Sequence, residues 1–276
     1  MQIDCAGKVV ELTYPVVMGI LNVTPDSFSD GGRFGDLGRA LEHALRMVEE
    51  GAAIIDVGGE STRPGSAEVS VEAEIARVVP VIEHLATRIA VPISVDTSKP
   101  EVMRAAVEAG AGMINDVYAL RREGALGMAA RLDVPVCLMH MQGEPKTMQH
   151  QPDYLDVVRE VCEFLRERIE ASIDAGINRE MIVIDPGFGF GKSLAHNLSM
   201  LKHLDEFSSL GAPLLVGMSR KSMVGAVLDV PVMERLIGSV AAAVIGAQRG
   251  ASIIRVHDVK ETVQALRMVM AVEHAL

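Results

Sequence analysis

The sequence repeatedly places a polar or charged residue directly after a short apolar run. In a parallel α/β fold such a residue lies at the carboxyl end of a strand, where active sites are built. The set combines carboxylates, amides, cations and imidazoles, so it could bind a polar ring together with an anion. Its members are Asn22, Asp56, Asp96, Asn115, Asp116, His140, Asp185, Ser219, Arg220, Lys221, Arg255 and His257.

Most cations of this set are concentrated in two segments, GMSRKS (217–222) and IIRVHD (253–258). Parallel barrels often bind phosphate after their last two strands, so these segments predict an anion-binding side of the site. Arg63 adds a further cation in the loop GGESTRPGS (58–66). This loop and the segment 29–38 are both rich in glycine and polar residues, and we expect them to act as lids that exclude water.

The segment DPGFGFGK (185–192) invites comparison with a phosphate-binding loop, but its glycine spacing matches that motif weakly. We expect instead that the glycines let the backbone, with Phe188 or Phe190, approach a flat ligand. Aromatic residues make up only 3% of the chain, so two of them in one short segment indicate a surface for a ring.

Eight apolar runs carry the polar residues, and amphipathic segments separate the runs. Continuous apolar runs are typical of parallel strands that are buried on both faces. The pattern predicts a single-domain (β/α)8 TIM barrel over residues 1–276, although an open doubly wound sheet has the same periodicity. Residues 3–12 are expected to form a short β-hairpin that closes the lower mouth. The expected strand ends are residues 22, 56, 96, 115, 140, 185, 217 and 255.

Charge and composition exclude several classes of protein. A net charge of -11 would repel nucleic acids and anionic membrane surfaces. The widely spaced Cys5, Cys137 and Cys162 are typical of reduced, structural thiols in a cytoplasmic protein. The amino terminus has an acid at position 4 and no apolar stretch, so we expect no signal peptide.

Three familiar kinds of chemistry fit the strand ends poorly. A metal-dependent hydrolase of the barrel type needs histidine ligands on strand 1, and that strand ends in NVT. Lys221 lies between Arg220 and Ser222, a position better suited to holding an anion or a carbonyl than to a Schiff base. The sequence has no G-x-S-x-G nucleophile elbow. What remains is binding of a flat ring and an anion, with catalysis by positioning and charge.

Long motifs then resemble one known family. MGILNVTPDSFSDGG (18–32) and GAAIIDVGGESTRPG (51–65) resemble the two signature segments of dihydropteroate synthases. SVDTSKP, INDV, MHMQGEPKTMQ, DPGFGFGK, GMSRKS and IIRVHDV resemble the remaining blocks of that family in the same order. The resemblance covers essentially the whole chain. It implies a (β/α)8 transferase of folate biosynthesis, a sulfonamide target, that joins 6-hydroxymethyl-7,8-dihydropterin pyrophosphate to 4-aminobenzoate and releases pyrophosphate.

The resemblance also implies roles for individual residues. Asp185 would accept N–H groups of the pterin bidentately, and Asn115 would contact the neighbouring atoms. Asp96 would accept ring N–H groups on the other side, and Lys221 would hold the carbonyl. Arg255 would stack its guanidinium on the ring. The resemblance makes Asp96, Asp185, Lys221 and Arg255 the catalytic residues, and the pocket would be lined by Met139, Phe190, Ile20 and Leu215.

Two further subsites follow from the same resemblance. Asn22 would hold Mg²⁺ together with the pyrophosphate, since an amide oxygen suits a hard cation. The other pyrophosphate contacts would be Thr62, Arg63, Arg255 and His257. The 4-aminobenzoate site would consist of Phe28, Thr62, Pro64, Phe190, Ser219 and Lys221.

We expect a dissociative step, because an aniline nitrogen is already nucleophilic and the barrier lies in losing pyrophosphate. The anionic pterin pocket would stabilise a developing pterin-methyl cation while closed lids keep water away. The alternative is a pterin or methyltetrahydrofolate-binding barrel that is not a synthase. The apolar segments 236–247 and 262–276 predict a homodimer.

Overall fold

The computed structural model describes residues 1–23, 32–61, 68–143, 148 and 152–275, and the backbone alone in 32–36. Strands and helices alternate along these ranges. The strands are β1 (Gln2–Cys5), β2 (Lys8–Glu11), β3 (Val16–Asn22), β4 (Ile54–Gly58), β5 (Ile93–Asp96), β6 (Met113–Asp116), β7 (Val136–Met139), β8 (Ile182–Asp185), β9 (Leu215–Val216) and β10 (Ile253–Val256). The helices are α1 (Gly32–Glu49), α2 (Val71–Ala86), α3 (Pro100–Glu108), α4 (Ala125–Leu132), α5 (Val157–Asp174), α6 (Leu194–Lys202), α7 (Ser222–Leu228), α8 (Leu236–Gln248) and α9 (Val259–Glu273).

Strands β3 to β10 form one parallel sheet in the order β8-β7-β6-β5-β4-β3-β10-β9. A parallel bridge between Ile184 and Leu214 joins its two outer edges, so the sheet closes on itself. The predicted (β/α)8 barrel is confirmed, and the open sheet is excluded. Each strand ends within two residues of its predicted position, which brings the predicted polar residues to one mouth.

The amino-terminal hairpin closes the opposite mouth, as predicted. β1 and β2 pair antiparallel, and their inward side chains pack on apolar residues from the lower half of the barrel. The contact is close, since a Cβ on Gly112 would lie 2.5 Å from the Cys5 carbonyl oxygen. The residues of this lower core include Ile3, Cys5, Val10, Leu12, Met18, Ile54, Met113, Cys137, Val183, Leu215 and Ile253.

One expectation about the pocket lining is wrong. Leu215 is fully buried and belongs to the lower core with the hairpin, because it is the first residue of the two-residue strand β9. The structure therefore places it at the floor of the barrel and not in a ligand slot.

The three thiols are buried and unbridged. Burial raises the pKa of Cys5 to about 12, with Asp4 adding to the shift, and raises the pKa of Cys162 to about 11. The thiolate is the reactive form, so these cysteines are inert packing groups. Within the described residues no helix is long and apolar enough to cross a membrane.

Candidate active site

A guanidinium lies between two carboxylates at the upper mouth. Arg255, on β10, donates from Nε to Asp56 Oδ2 at 2.6 Å and from Nη2 to Asp96 Oδ2 at 2.7 Å. Asn115 Nδ2 also donates to Asp56 Oδ2, at 3.1 Å. Four strand ends are thus joined by one hydrogen-bonded cluster. Asp56 is fully buried, and its other oxygen, Oδ1, has no hydrogen-bond partner in the described part of the chain.

This cluster changes the acidity of its members. Burial raises the pKa of Asp96 to about 7, with Asp56 adding to the shift and Arg255 opposing it. Burial alone would lower the pKa of Arg255, but the two neighbouring carboxylates outweigh it and raise that pKa above its usual range. The guanidinium therefore stays charged, whereas Asp96 can gain or lose a proton near neutral pH.

A second charged group follows β9, the strand that pairs with β10. Lys221 directly precedes α7, and its Nζ donates to the Phe188 carbonyl oxygen and lies 4.6 Å from the centre of the Phe190 ring. Burial lowers the pKa of Lys221 to about 8, against the attraction of Asp185. Asp185 accepts the Gly187 N–H at 2.7 Å, and burial raises its pKa although Lys221 opposes the shift.

Two of the glycines of DPGFGFGK pack closely against the protein's own backbone. Gly187, Gly189 and Gly191 all have positive φ values, of 70°, 79° and 62°. A Cβ on Gly187 would lie 1.9 Å from the His140 carbonyl oxygen, and one on Gly191 would lie 2.4 Å from that of Gln142. These two glycines let the segment pack on the loop after β7, so their lack of a side chain is explained by the protein's own backbone.

The two phenylalanines of this segment separate. Phe188 is fully buried in the core between barrel and helices, so of the two predicted alternatives only Phe190 is placed to approach a ligand. Phe190 is half-buried, lies beneath Lys221 and packs in a small cluster with Met139, Met141 and other residues. Met139 is buried in that cluster and pairs with Asp185 across the sheet.

Ser219 and His257 contact each other. Ser219 Oγ lies 3.1 Å from His257 Nδ1 and accepts the His257 N–H at 3.2 Å. A residue predicted for 4-aminobenzoate and one predicted for pyrophosphate are therefore neighbours. Arg220, between Ser219 and Lys221, is directed away from this pair, because its guanidinium forms a bidentate ion pair with Asp258.

Asn22 and Asp96 flank the same glycine. Gly58 pairs in register with Asn22 on one side and with Asp96 on the other. A Cβ there would lie 3.8 Å from Asn22 Oδ1 and 3.5 Å from Asp96 Cβ. Asn22 is half-buried at the end of β3, so its amide oxygen lies at the mouth beside the carboxylate cluster.

Some predicted site residues lie outside the described part of the chain, and one lies in it but has a structural role. Phe28, Thr62, Arg63 and Pro64 are outside the described residues, as are 29–31 and 62–66 of the two expected lids. The remainder of the first expected lid, 32–38, is not a loop, because it forms the beginning of α1. Asp116 is a structural residue, since its carboxylate accepts the N–H groups of Tyr118 and Leu120 at 2.8 and 2.7 Å.

Sequence reasoning missed the partner of Arg255. Asp56 was recognised as a strand-end residue, but nothing in the sequence connects it to an arginine 199 positions away. It also missed Lys99, whose Nζ forms ion pairs with Glu60 and Glu74 at 2.6 and 2.5 Å beneath the loop after β4. A lysine that follows SVDTS does not by itself indicate that Lys99 pairs with Glu60 and Glu74.

Comparison with known proteins agrees with this geometry. Residues 18–257 match the family model of pterin binding enzymes. The chain is 59% identical to the dihydropteroate synthase of Escherichia coli (strain K12) over 271 residues, which cover 98% of this chain and 96% of that protein. The chain belongs to the dihydropteroate synthase family.

Solved structures of dihydropteroate synthases superimpose on the whole chain. The Yersinia pestis enzyme in a sulfonamide drug complex has a TM-score of 0.96 and 56% identity, with all of both chains covered. The Xanthomonas albilineans enzyme in complex with 7,8-dihydropteroate has a TM-score of 0.92 and 52% identity, again with all of both chains covered. The dihydropteroate synthase fold is therefore shared over the full length.

Proposed function

We propose that this chain condenses 6-hydroxymethyl-7,8-dihydropterin pyrophosphate with 4-aminobenzoate to give 7,8-dihydropteroate and pyrophosphate. The observation that carries the proposal is the convergence of Asp96, Asn115, Asp185, Lys221 and Arg255 at one barrel mouth, in a chain of the dihydropteroate synthase family. A barrel mouth with carboxylate acceptors, an amide and two cations matches the alternating donors and acceptors of a pterin ring.

The pterin roles follow from where the groups lie. Asp185 and Lys221 interact electrostatically on one side, so a pterin between them would meet an acceptor and a donor. Asp96 lies on the other side, where Arg255 holds its carboxylate at 2.7 Å. With Nε and Nη2 directed at Asp56 and Asp96, the plane of the Arg255 guanidinium is fixed, which supports its assignment to stacking on the ring.

We assign Mg²⁺ to the pyrophosphate side of the site, next to Asn22. Among the described residues no group of three or more His, Cys, Asp or Glu is placed to hold a metal ion. One amide oxygen fits a magnesium ion that is bound mainly through substrate phosphates. When bound, the ion would neutralise charge on the leaving pyrophosphate. The leaving pyrophosphate would also be contacted by His257, by Arg63 and by Nη1 of Arg255.

The chain's own residues would carry the dissociative step by charge and position. As pyrophosphate leaves, positive charge develops on the pterin methylene carbon. Ionised Asp96 and Asp185 on the pterin would stabilise that charge, because they are fixed in place before the reaction. Ser219, Phe190 and Lys221 would then hold 4-aminobenzoate with its nitrogen facing the carbon, so that no strong base is required.

The deciding experiment is pyrophosphate release from dihydropterin pyrophosphate with magnesium, with and without 4-aminobenzoate. Release that depends on 4-aminobenzoate is expected of the synthase. Pterin binding without release in either condition would favour the non-synthase pterin module and would leave Lys221 without its second role.

We also propose a homodimer through the C-terminal helices. Several large apolar side chains are exposed on and between α7, α8 and α9, among them Met233 at 78%, Ile237 at 80% and Met268 at 65%. Exposed apolar surface of this kind is typical of a face that a second subunit covers. The buried, unbridged thiols support a cytoplasmic location.

A further inference from the structure

Lys192 is a buried lysine for which the proposed reaction has no use. Its Nζ lies 2.8 Å from His140 Nδ1, 3.0 Å from the Gly187 carbonyl oxygen and 3.0 Å from the Phe190 carbonyl oxygen. The residue is only 3% exposed, so these contacts are made away from solvent. A lysine is seldom buried without a specific arrangement of partners.

The two carbonyl contacts do not depend on the protonation state of Lys192. Burial lowers its pKa well below the usual range, and burial, with Lys192 adding, lowers the pKa of His140 to about 2. A charged Lys192 would donate to His140 Nδ1 as well, whereas a neutral one would accept from that nitrogen. In either case two N–H groups serve the carbonyls of Gly187 and Phe190.

These two carbonyls belong to the ends of one tight turn. The Phe190 N–H donates to the Gly187 carbonyl oxygen at 3.1 Å. Lys192 Nζ donates to this same oxygen and to the Phe190 carbonyl oxygen, so it links the two ends of the turn. The amide of Gly189, inside the turn, donates to Asn197 Oδ1 at 2.7 Å. The turn 187–190 is therefore fixed from its buried side by side chains that do not enter the pterin pocket.

The same turn presents both contacts of Lys221. The Phe188 carbonyl oxygen accepts from Lys221 Nζ, and the Phe190 ring lies 4.6 Å from it. Gly189 lies between them, and a Cβ there would be 3.2 Å from Lys221 Cδ. The location of the Lys221 ammonium thus follows from the conformation of the turn.

We propose that Lys192 is a positioning residue for the pterin site, which fixes the turn 187–190 so that this turn can hold Lys221. The proposal rests on the proposed function, because that function assigns Lys221 to the pterin. Lys192 also holds the carbonyl of Gly187, whose N–H donates to Asp185, so the proposal predicts that Lys192 acts on pterin binding mainly through Lys221 and to a smaller extent through Asp185.

A double-mutant cycle tests this dependence. Lys192→Met, Lys221→Met and the double variant would be titrated calorimetrically with 6-hydroxymethyl-7,8-dihydropterin, and separately with magnesium pyrophosphate. Lys202→Met, an exposed lysine at the end of α6, is the matched control and should bind both as the unaltered chain does.

Lys192→Met should weaken pterin binding by roughly tenfold, the effect of one lost charge-assisted hydrogen bond, and leave pyrophosphate affinity unchanged. The double variant should bind pterin only slightly more weakly than Lys221→Met alone. If Lys192→Met caused a general loss of structure, it would reduce the affinity for both ligands, and this result would overturn the proposal. So would fully additive losses in the double variant, or normal pterin binding by Lys192→Met.

Lys192→Gln, which keeps an amide donor in the same space, provides a second route if Lys192→Met does not fold. It should bind pterin between the unaltered chain and Lys221→Met, and normal binding or simultaneous loss of pyrophosphate affinity would overturn the proposal. Failure of the unaltered chain to bind the pterin would instead refute the proposed function, so the two failures are distinguishable.

Discussion

Arg255 Nε lies 2.6 Å from Asp56 Oδ2, although 199 positions separate the two residues in the sequence. β10 and β4 both flank β3 in the sheet, and the ion pair passes over the end of that strand. The guanidinium continues to Asp96 on β5. One side chain therefore sets the relative position of carboxylates from two other strands, and these contacts are made within the chain itself.

Asp56→Asn should weaken that arrangement. An asparagine keeps the shape of the side chain but removes the charge that faces Arg255, so we expect the free energy of unfolding to fall by about 1–3 kcal/mol. Urea unfolding at neutral pH measures the change. Asp205→Asn, at an exposed position, is the control and should have no effect. Equal stability of the two variants would show that Asn115 and Arg255 do not depend on the Asp56 charge.

The acidity of Asp96 predicts a pH dependence of stability. Its pKa is about 7 in the folded chain, against an ordinary value of 3.8, so between these values the folded chain holds a proton that the unfolded chain has lost. The stabilisation from Asp96 is complete below the unfolded pKa and is lost as the pH rises through about 7. The difference in unfolding free energy between the unaltered chain and Asp96→Asn should therefore decline over this window.

The same titration should appear in ligand binding. In the proposed function the ionised carboxylate accepts pterin N–H groups, so pterin affinity should rise as the pH passes through about 7 in the unaltered chain. Asp96→Asn should bind weakly with no such rise. Calorimetric titrations between pH 5 and pH 9, roughly the range over which Asp96 changes state, would detect the difference. An identical pH profile in both proteins would contradict the assignment.

Lys221 should limit activity at higher pH. Its pKa is about 8, below the ordinary 10.5, so the ammonium is lost as the pH rises above about 8. We expect turnover to fall over that range, and Lys221→Ala to weaken both the pterin and 4-aminobenzoate. Lys221→Arg keeps a charge there, so the remaining activity should not fall above that pH. Weakening of only one substrate by Lys221→Ala would show that the residue serves a single subsite.

Asp185→Asn tests the bidentate pterin contact. Asparagine keeps an oxygen for the Gly187 N–H but loses the charged acceptor. The free energy of pterin binding should therefore become less favourable by roughly 2–5 kcal/mol, while the free energy of unfolding changes little. Asp205→Asn again provides the matched exposed control. Calorimetry measures the pterin affinity of both variants. If Asp185→Asn bound the pterin as tightly as the unaltered chain does, the assignment would be refuted.

The exposed apolar side chains on and between α7, α8 and α9 predict a homodimer. Ile237→Glu places a charge on a side chain that is 80% exposed, and it should convert a dimer into a monomer without unfolding it. Leu155→Glu, at a fully exposed position on another part of the chain, should remain dimeric. Light scattering at micromolar concentration distinguishes the two masses. A monomeric unaltered chain would dispose of the interface.

The fold was predictable because its signal is local. Each apolar run ends where a strand ends, and a run buried on both faces has no polar alternation, so the succession of βα units can be recognised without knowing what contacts what. The closure between Ile184 and Leu214 was not predictable in this way. It depends on the sum of eight strand tilts and staggers, to which no single stretch of sequence refers.

The site was predictable in part for the same reason. The end of a strand fixes which residues reach the mouth, but the turn that follows decides where a side chain points. Arg220 turns to Asp258, Asp116 accepts two backbone N–H groups, and Phe188 enters the core. Lys192 lies in a segment whose glycine spacing matches a phosphate-binding loop only weakly, and its nitrogen donates to the carbonyl oxygens of Gly187 and Phe190.

The hairpin at the lower mouth has a consequence for synthesis on the ribosome. Ile3 is translated before Ile253, although both belong to one apolar cluster. The packing partners of Ile3 become complete only after Ile253 has been translated. The first strand pair must therefore remain unburied until then, and the barrel floor is sealed late in folding.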